Sequence, residues 1–205
     1  MRILITAGGT REYLDPVRFI SNASSGRMGY ALARAALKAG HKVTLITAPT
    51  VQRPPSDVKL VKVETTAQMF DAVKKHFEKC DCLIMAAAVA DYTPAQPAIT
   101  KIKKSNNSLT VKLKPTTDIL KWAGKQKREN QIVVGFALED KAVRARAEKK
   151  LKEKNFDMII TNTPAAIGAD KSTVQIKIAG REWLRLPQAS KTRIAQKIIS
   201  LVGTT

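Results

Sequence analysis

Ser24-Ser25-Gly26 closes a long connection, Gly8 to Gly29, that follows the first apolar run of the chain. If a helix starts there, free N–H groups, serine hydroxyls and the positive end of the helix dipole converge on an anion. The same serines also suit plain capping of that helix, and Ser-Gly alone leaves both roles open. Arg18 and Asn22 lie on the same connection. A guanidinium fork matches a carboxylate or phosphate, and a carboxamide can hydrogen-bond an acyl group or steer an attacking amine. Loop Arg and Asn otherwise serve surfaces and turns. Farther along, Met85-Ala86-Ala87-Ala88 precedes Asp91. Small side chains there would let a flat base approach the backbone, and core packing accounts for them equally well. Lys150 and Lys154 have the i, i+4 spacing that puts both on one helical face.

The glycines do not form the tight-turn G-x-G-x-x-G fingerprint of dinucleotide binding, and no Walker loop is present. Cys80 and Cys82, with His41 and His76, have no metal-ligand spacing. The thiols are expected to be small buried groups in a reducing compartment, and a metal would arrive with a phosphate ligand.

The 205 residues carry 36 Lys+Arg against 17 Asp+Glu, a formal charge of +19. A hydrophobic share of 44% excludes a charge-driven disordered chain. The longest wholly apolar run, Leu83 to Ala90, falls far short of the ~20 residues of a membrane span. The apolar start, Ile3 to Ala7, is short and runs into Gly8-Gly9 as a first strand would, so a cytoplasmic protein without membrane contact is expected. The basic balance fits a solvated basic face, anionic small substrates or nucleic acid. Lysines such as Lys74, Lys75, Lys121, Lys125, Lys127, Lys149 and Lys152 are spread through helical segments, and aromatics make up only 5%, without the aromatic-basic alternation of single-strand binders.

Positioning these residues requires a sheet. Apolar β-branched runs at Arg2–Ala7, Lys42–Thr47, Val58–Val63, Cys82–Ala88, Ile132–Leu138 and Phe156–Thr161 alternate with helical segments. That order predicts a Rossmann-like, doubly wound, mostly parallel α/β sheet with helices on both faces, forming one domain over 1–205. Helices are expected at Ser25–Ala39, from Thr66 (which can cap it) through Phe77, at Thr117–Lys127, Asp140–Lys154 and Ser190–Leu201. A hairpin is expected at about 173–186, turning at Ala179-Gly180. Residues of about 93–108, with Pro94, Pro97 and the polar run Lys101 to Ser108, predict a flexible flap.

Taken together, Ile5 to Glu12, Asp15 to Asn22, Ser24 to Gly29, Ala86 to Tyr92, Lys101 to Lys104 and Val134 to Ala137 closely resemble phosphopantothenoylcysteine synthetase, the phosphopantothenate cysteine ligase of coenzyme A biosynthesis. The resemblance implies that the carboxylate of 4'-phosphopantothenate attacks the α-phosphate of a nucleoside triphosphate, CTP or alternatively ATP, with Mg2+. L-cysteine then displaces the nucleotide. It implies catalytic roles for Asn22, Arg18 and Lys101, with Asn22 holding the acyl intermediate, Arg18 near the carboxylate and Lys101 carried on the flap. Nucleotide contacts are implied at Ser24, Ser25, Gly26, Met85, Ala86, Ala87, Asp91, Lys101, Phe136, the segment Lys114-Pro115-Thr116-Thr117, and Lys150 and Lys154.

Those two lysines sit at the C-terminal end of their helix, which a right-handed crossover carries away from the crevice, so a solvated face is expected for one of them. Segment 162–173 departs from the acidic, Asn-containing turn of the family. A homodimer is also implied, with the hairpin as interface. A flavin-dependent decarboxylase is expected separately encoded or removed from a fused chain, and no flavin on this one. The competing functions are a non-catalytic nucleotide or nucleic-acid binding module and a short-chain oxidoreductase. The latter needs a Tyr-x-x-x-Lys pair that Tyr13, Tyr30 and Tyr92 do not supply.

Overall fold

A computed structural model describes residues 1–138, 143–162 and 169–204. In chain order the elements are β1 (Arg2–Ala7), β2 (Arg11–Tyr13), β3 (Phe19–Ser21), α1 (Arg27–Lys38), β4 (Lys42–Thr47), β5 (Lys59–Lys62), α2 (Thr66–Phe77), β6 (Cys82–Met85) and β7 (Tyr92–Pro94). They continue with β8 (Leu113–Pro115), α3 (Ile119–Gln126), β9 (Ile132–Leu138), α4 (Val143–Glu153), β10 (Met158–Asn162), β11 (Lys171–Ile178), β12 (Leu184–Ser190) and α5 (Lys191–Val202).

The main sheet has the order β12-β11-β10-β9-β6-β1-β4-β5. From β5 to β10 the neighbours are parallel, and β11 and β12 add antiparallel strands at one edge. The expected hairpin is therefore part of the main sheet, with longer strands than its sequence pattern marks. Alternation along β1 sorts the layers. Ile3 and Ile5 face α1 and α5 together with Val134 and Ile160. Leu4 faces α2, α3 and α4 with Leu83, Val133 and Ile159. Each such side chain taken from water contributes ~1.5–3 kcal/mol, which makes the sheet a rigid platform for its loops.

Helix starts follow local chemistry. Thr65, not Thr66, caps α2: its hydroxyl accepts from the Gln68 N–H while the Gln68 side chain returns to the Thr65 N–H. Thr66 is committed elsewhere, its N–H and hydroxyl both donating to Glu12 Oε1 at 2.8 and 2.7 Å. Asp118 caps α3 and Ser190 caps α5. The expected start of α4 at Asp140 lies outside the described residues. The stripe of α1 is broader than one face, because Tyr30, Ala31 and Ala33 are buried along with Leu32, Ala35 and Ala36, as suits a helix between the sheet and α5.

Both thiols are buried. Burial pushes Cys80 up to about 11 from 9.0 and carries Cys82 well above the same value. A thiol whose folded pKa exceeds its unfolded one favours the native state until the unfolded thiol ionises. Stability from this source is present below pH 9 and is lost as pH rises toward about 11. Denaturant titrations at pH 7.5, 9 and 10.5 are expected to show a falling midpoint, with a disulfide reagent modifying neither thiol in the native protein at pH 7.5. Rapid native modification would contradict the burial.

Candidate active site

The chain crosses from β1 through α1 to β4 on one side of the sheet, while β6 extends it on the other. This reversal opens a crevice beyond the carboxyl ends of β1 and β6, the place where open α/β sheets hold ligands. Pairing continues past the strands: the Ala88 N–H donates to the Gly8 carbonyl at 2.8 Å, and the Thr10 N–H to the Ala88 carbonyl at 3.3 Å. Gly8 has φ +82°, and a Cβ there would lie 2.7 Å from the Ala48 carbonyl oxygen, so only glycine lets the chain turn so close to β4.

A cleft of about 600 Å³ occupies the crevice, a size suited to a small-molecule ligand. Asn22 through Met28 form one wall, Met85 through Val89 with Asp91 another, and Thr116 through Leu120 a third. It continues between α3 and α4 past Phe136, Lys150 and Lys154 to Phe156 and Ile159. Both lysines therefore line the cleft, against the expectation that one would be only a solvated face. The crossover rule locates the end of α4 correctly, but the cleft extends along the sheet surface rather than stopping at its carboxyl rim.

Asn22 is fixed by a bond between its Nδ2 and the Val89 carbonyl at 3.0 Å. A carbonyl requires a donor, so the amide N–H is used there and Oδ1 is left to accept from a ligand. Ser24 and Ser25 do not cap α1. The N-cap is Gly26 in a left-handed conformation with no side-chain bond, and the Ser24 hydroxyl instead accepts from the Gly26 N–H at 3.4 Å. The α1 terminus therefore lines the cleft with an N-cap glycine that has no side chain to cap it.

The Asp91 segment is held by one buried and one half-buried hydroxyl. The Thr10 hydroxyl accepts from the Ala90 N–H at 2.9 Å, the Thr116 hydroxyl donates to the Ala90 carbonyl at 2.6 Å, and the Thr116 N–H donates to the Asp91 carbonyl at 2.9 Å. Lys154 pairs with Asp118 at 2.7 Å across the cleft. Burial alone would raise the Asp118 carboxyl, yet Lys154 and the Lys121 N–H bring it below its ordinary value.

Arg18 and Lys101 do not line the cleft. The Arg18 guanidinium donates to Asp15 and, through Nη2, to the Ile102 carbonyl at 2.7 Å. Lys101, next to that carbonyl, is exposed. Lys114 and Pro115 are exposed on β8, whereas Thr116 and Thr117 reach the wall. The flap spans the loop between β7 and β8, whose strands pair antiparallel at its base. Residues 163–168 of the segment that departs from the family lie outside the described residues.

Sequence patterns did not mark Asp118, Lys191 or Phe156 as site residues, yet all three line the cleft. Asp118 and Lys191 sit at helix starts, where their types read as capping and as solvated charge. Burial and the neighbouring Arg27 depress the Lys191 ammonium. Among the described residues no three His, Cys, Asp or Glu side chains cluster as metal ligands, and no helix is long and apolar enough to cross a membrane.

The family model for the DNA/pantothenate metabolism flavoprotein C-terminal domain matches residues 1–204. The chain belongs to this family. Its relatives include a cysteine/cysteine sulfinic acid decarboxylase of an unknown prokaryotic organism, 48% identical over 99% of this chain and 58% of that protein. The coenzyme A biosynthesis bifunctional protein CoaBC of Bacillus subtilis (strain 168) is 42% identical over 98% of this chain and 50% of its own length. The chain thus spans about half the length of the curated relatives it matches. The crystal structure of the C-terminal domain of CoaBC superposes with a TM-score of 0.86 at 39% identity, covering 99% of this chain and 94% of that one. The doubly wound sheet and its appended antiparallel pair are thus the flavoprotein C-terminal domain fold.

Proposed function

We propose that this domain joins 4'-phosphopantothenate to L-cysteine at the expense of a nucleoside triphosphate, CTP in preference to ATP. The carrying observation is the junction of Asn22, held by Val89, with a cleft walled by Lys150, Lys154 and the uncapped start of α1. The likeness to the CoaBC C-terminal domain supports the substrate class.

In the first half-reaction a carboxylate oxygen of phosphopantothenate attacks the α-phosphorus, and the bond to the β-phosphate oxygen breaks to release pyrophosphate. In the second, the cysteine amine attacks the acyl carbon, CMP leaves, and the amine proton passes to solvent. Lys150, Lys154 and the N–H groups of α1 hold the phosphates, because fixed donors in a partly desolvated cleft stabilise charge without reorganising. Met85, Ala86 and Ala87 offer a flat wall for the base beside Phe136 and Asp91. Mg2+ would be carried by the phosphates, with Asp91 as a cleft carboxylate that could hold it, and would neutralise charge on the departing pyrophosphate. The proposal includes a homodimer formed along the exposed β12 edge, and a decarboxylase as a separate or fused partner.

Pyrophosphate release is measured with Mg2+, phosphopantothenate and CTP or ATP, with and without cysteine. Release that depends on phosphopantothenate supports the proposal, and the faster nucleotide identifies the base. Lys101→Gln is expected to lower kcat roughly 10-fold to 100-fold, the scale of a cation that stabilises the transition state more than the ground state. Nucleotide binding without turnover would favour the non-catalytic binding module. Carbon dioxide release from cysteine in the absence of nucleotide would favour the activity named for the 48% relative.

A further inference from the structure

Asp15 lies in the turn between β2 and β3, with its side chain 0% exposed. Its Oδ1 accepts from the N–H groups of Val17 and Arg18 at 2.9 and 2.8 Å. Its Oδ2 accepts from Arg18 Nε and Nη2 at 2.9 and 2.5 Å, and from the Ile102 N–H at 3.1 Å. Arg18 Nη2 then donates to the carbonyl of that same Ile102. The flap is thus gripped at both polar groups of one residue, immediately beside Lys101, by a pair whose turn leads through β3 to Asn22. A second tie is made by the Ala98 N–H, which donates to the Leu14 carbonyl at 2.8 Å. From Lys103 to Pro115 the flap is exposed, so these ties are its anchorage to the β2–β3 turn.

The geometry assigns Asp15 a role as a positioning residue for the ligase reaction: it anchors the flap at Ile102 so that Lys101 enters the cleft from a fixed point beside the Asn22 loop. This rests on the proposed ligase function. A lysine on a free loop must search for the phosphates, whereas one tethered at the next residue searches a small volume, and misplacement by about 1 Å costs up to about 100-fold in rate. The Arg18 guanidinium holds the Asp15 carboxyl well below the usual carboxylate range, against the opposing effect of burial, with the N–H groups of Val17, Arg18 and Ile102 adding to it. The grip is therefore in its ionised form at neutral pH.

The test pairs Asp15→Asn with Lys101→Gln in a double-mutant cycle on pyrophosphate release, and follows hydrogen exchange of the flap peptide containing Ile102 in the full chain without substrate. Asp15→Asn is expected to raise exchange of that peptide about tenfold and lower kcat about tenfold, and the double variant to be no slower than Lys101→Gln alone. Multiplying losses, unchanged exchange, or a rise in kcat would overturn the assignment, the last because it would make the grip a restraint that must break. If Asp15→Asn fails to fold, Ile102→Pro removes the flap N–H that Asp15 accepts, with Ile102→Ala as the control for the lost side chain, and runs through the same arms. If the wild type releases no pyrophosphate, the ligase proposal fails while the exchange arm still decides the anchor: slow in wild type and fast in the variant supports it, and equal rates overturn it.

Discussion

Asn22→Asp is expected to slow formation of the amide roughly 100-fold while pyrophosphate release falls less, so that the acyl nucleotide accumulates. The wild-type carboxamide donates Nδ2 to the Val89 carbonyl at 3.0 Å and presents Oδ1 to the cleft. An ionised aspartate cannot donate, so a carboxylate oxygen faces the same carbonyl and the side chain swings away from Val89. In the proposed reaction its charge then faces the phosphoryl oxygens assigned to Lys150 and Lys154, which line the same cleft. Under that proposal pyrophosphate departure depends mainly on those cations, whereas attack by the amine depends on an acyl group held still. Rapid-quench separation of acyl nucleotide from product, with and without cysteine, measures the two steps. Equal rates for both steps in wild type and variant would remove Asn22 from the chemistry.

Gly124→Ala is expected to lower the melting temperature by about 6–12 °C, from about 3 kcal/mol of overpacking in a chain of this size. A Cβ at position 124 would lie 1.8 Å from the carbonyl oxygen of Lys154 and 3.3 Å from that of Asn155. Asn155 adopts φ 54°, and its Nδ2 donates to the Gly124 carbonyl at 2.9 Å. Backbone therefore meets backbone where α3 touches the turn after α4, and neither side can yield as a flexible side chain would. The displaced turn carries Lys154, whose pairing with Asp118 spans the cleft, so KM for the nucleotide should rise as well. Thermal unfolding by circular dichroism and steady-state KM read the two effects. A melting temperature within about 2 °C of wild type would show that the helices separate at little cost.

Much of the architecture was legible because periodicity reports burial. Strands β1, β4 and β9 fall where their apolar runs lie, and Ser190 marks a helix start by local chemistry that needs no tertiary context. Strand β6 is shorter than its apolar run: after Met85 the ladder is interrupted, resuming only as an isolated bridge at Ala88, and the alanines form a cleft wall. The β2–β3 hairpin was not legible. Its strands span three residues each, and β3 is wholly exposed, so no alternation distinguishes them from loop.

The site divides along the same line. Residue type and local spacing offered Asn22, the Ser24-Ser25-Gly26 turn and the alanine wall as candidates, because their chemistry is carried by the side chain or by the next few peptide groups, and the family resemblance added Asp91. The sequence by itself also determined the order of the main-sheet strands and the helices, the basic charge and the lack of a dinucleotide fingerprint. Only the tertiary structure decided that Lys150 and Lys154 reach the cleft, that Asp118 opposes one of them, that Gly26 rather than a serine begins α1, and that Asp15 grips Ile102 87 residues away. Those facts depend on how helices pack across a sheet and where distant loops meet. Hydrogen bonds and ion pairs act over a few ångströms of space, whatever the separation along the chain.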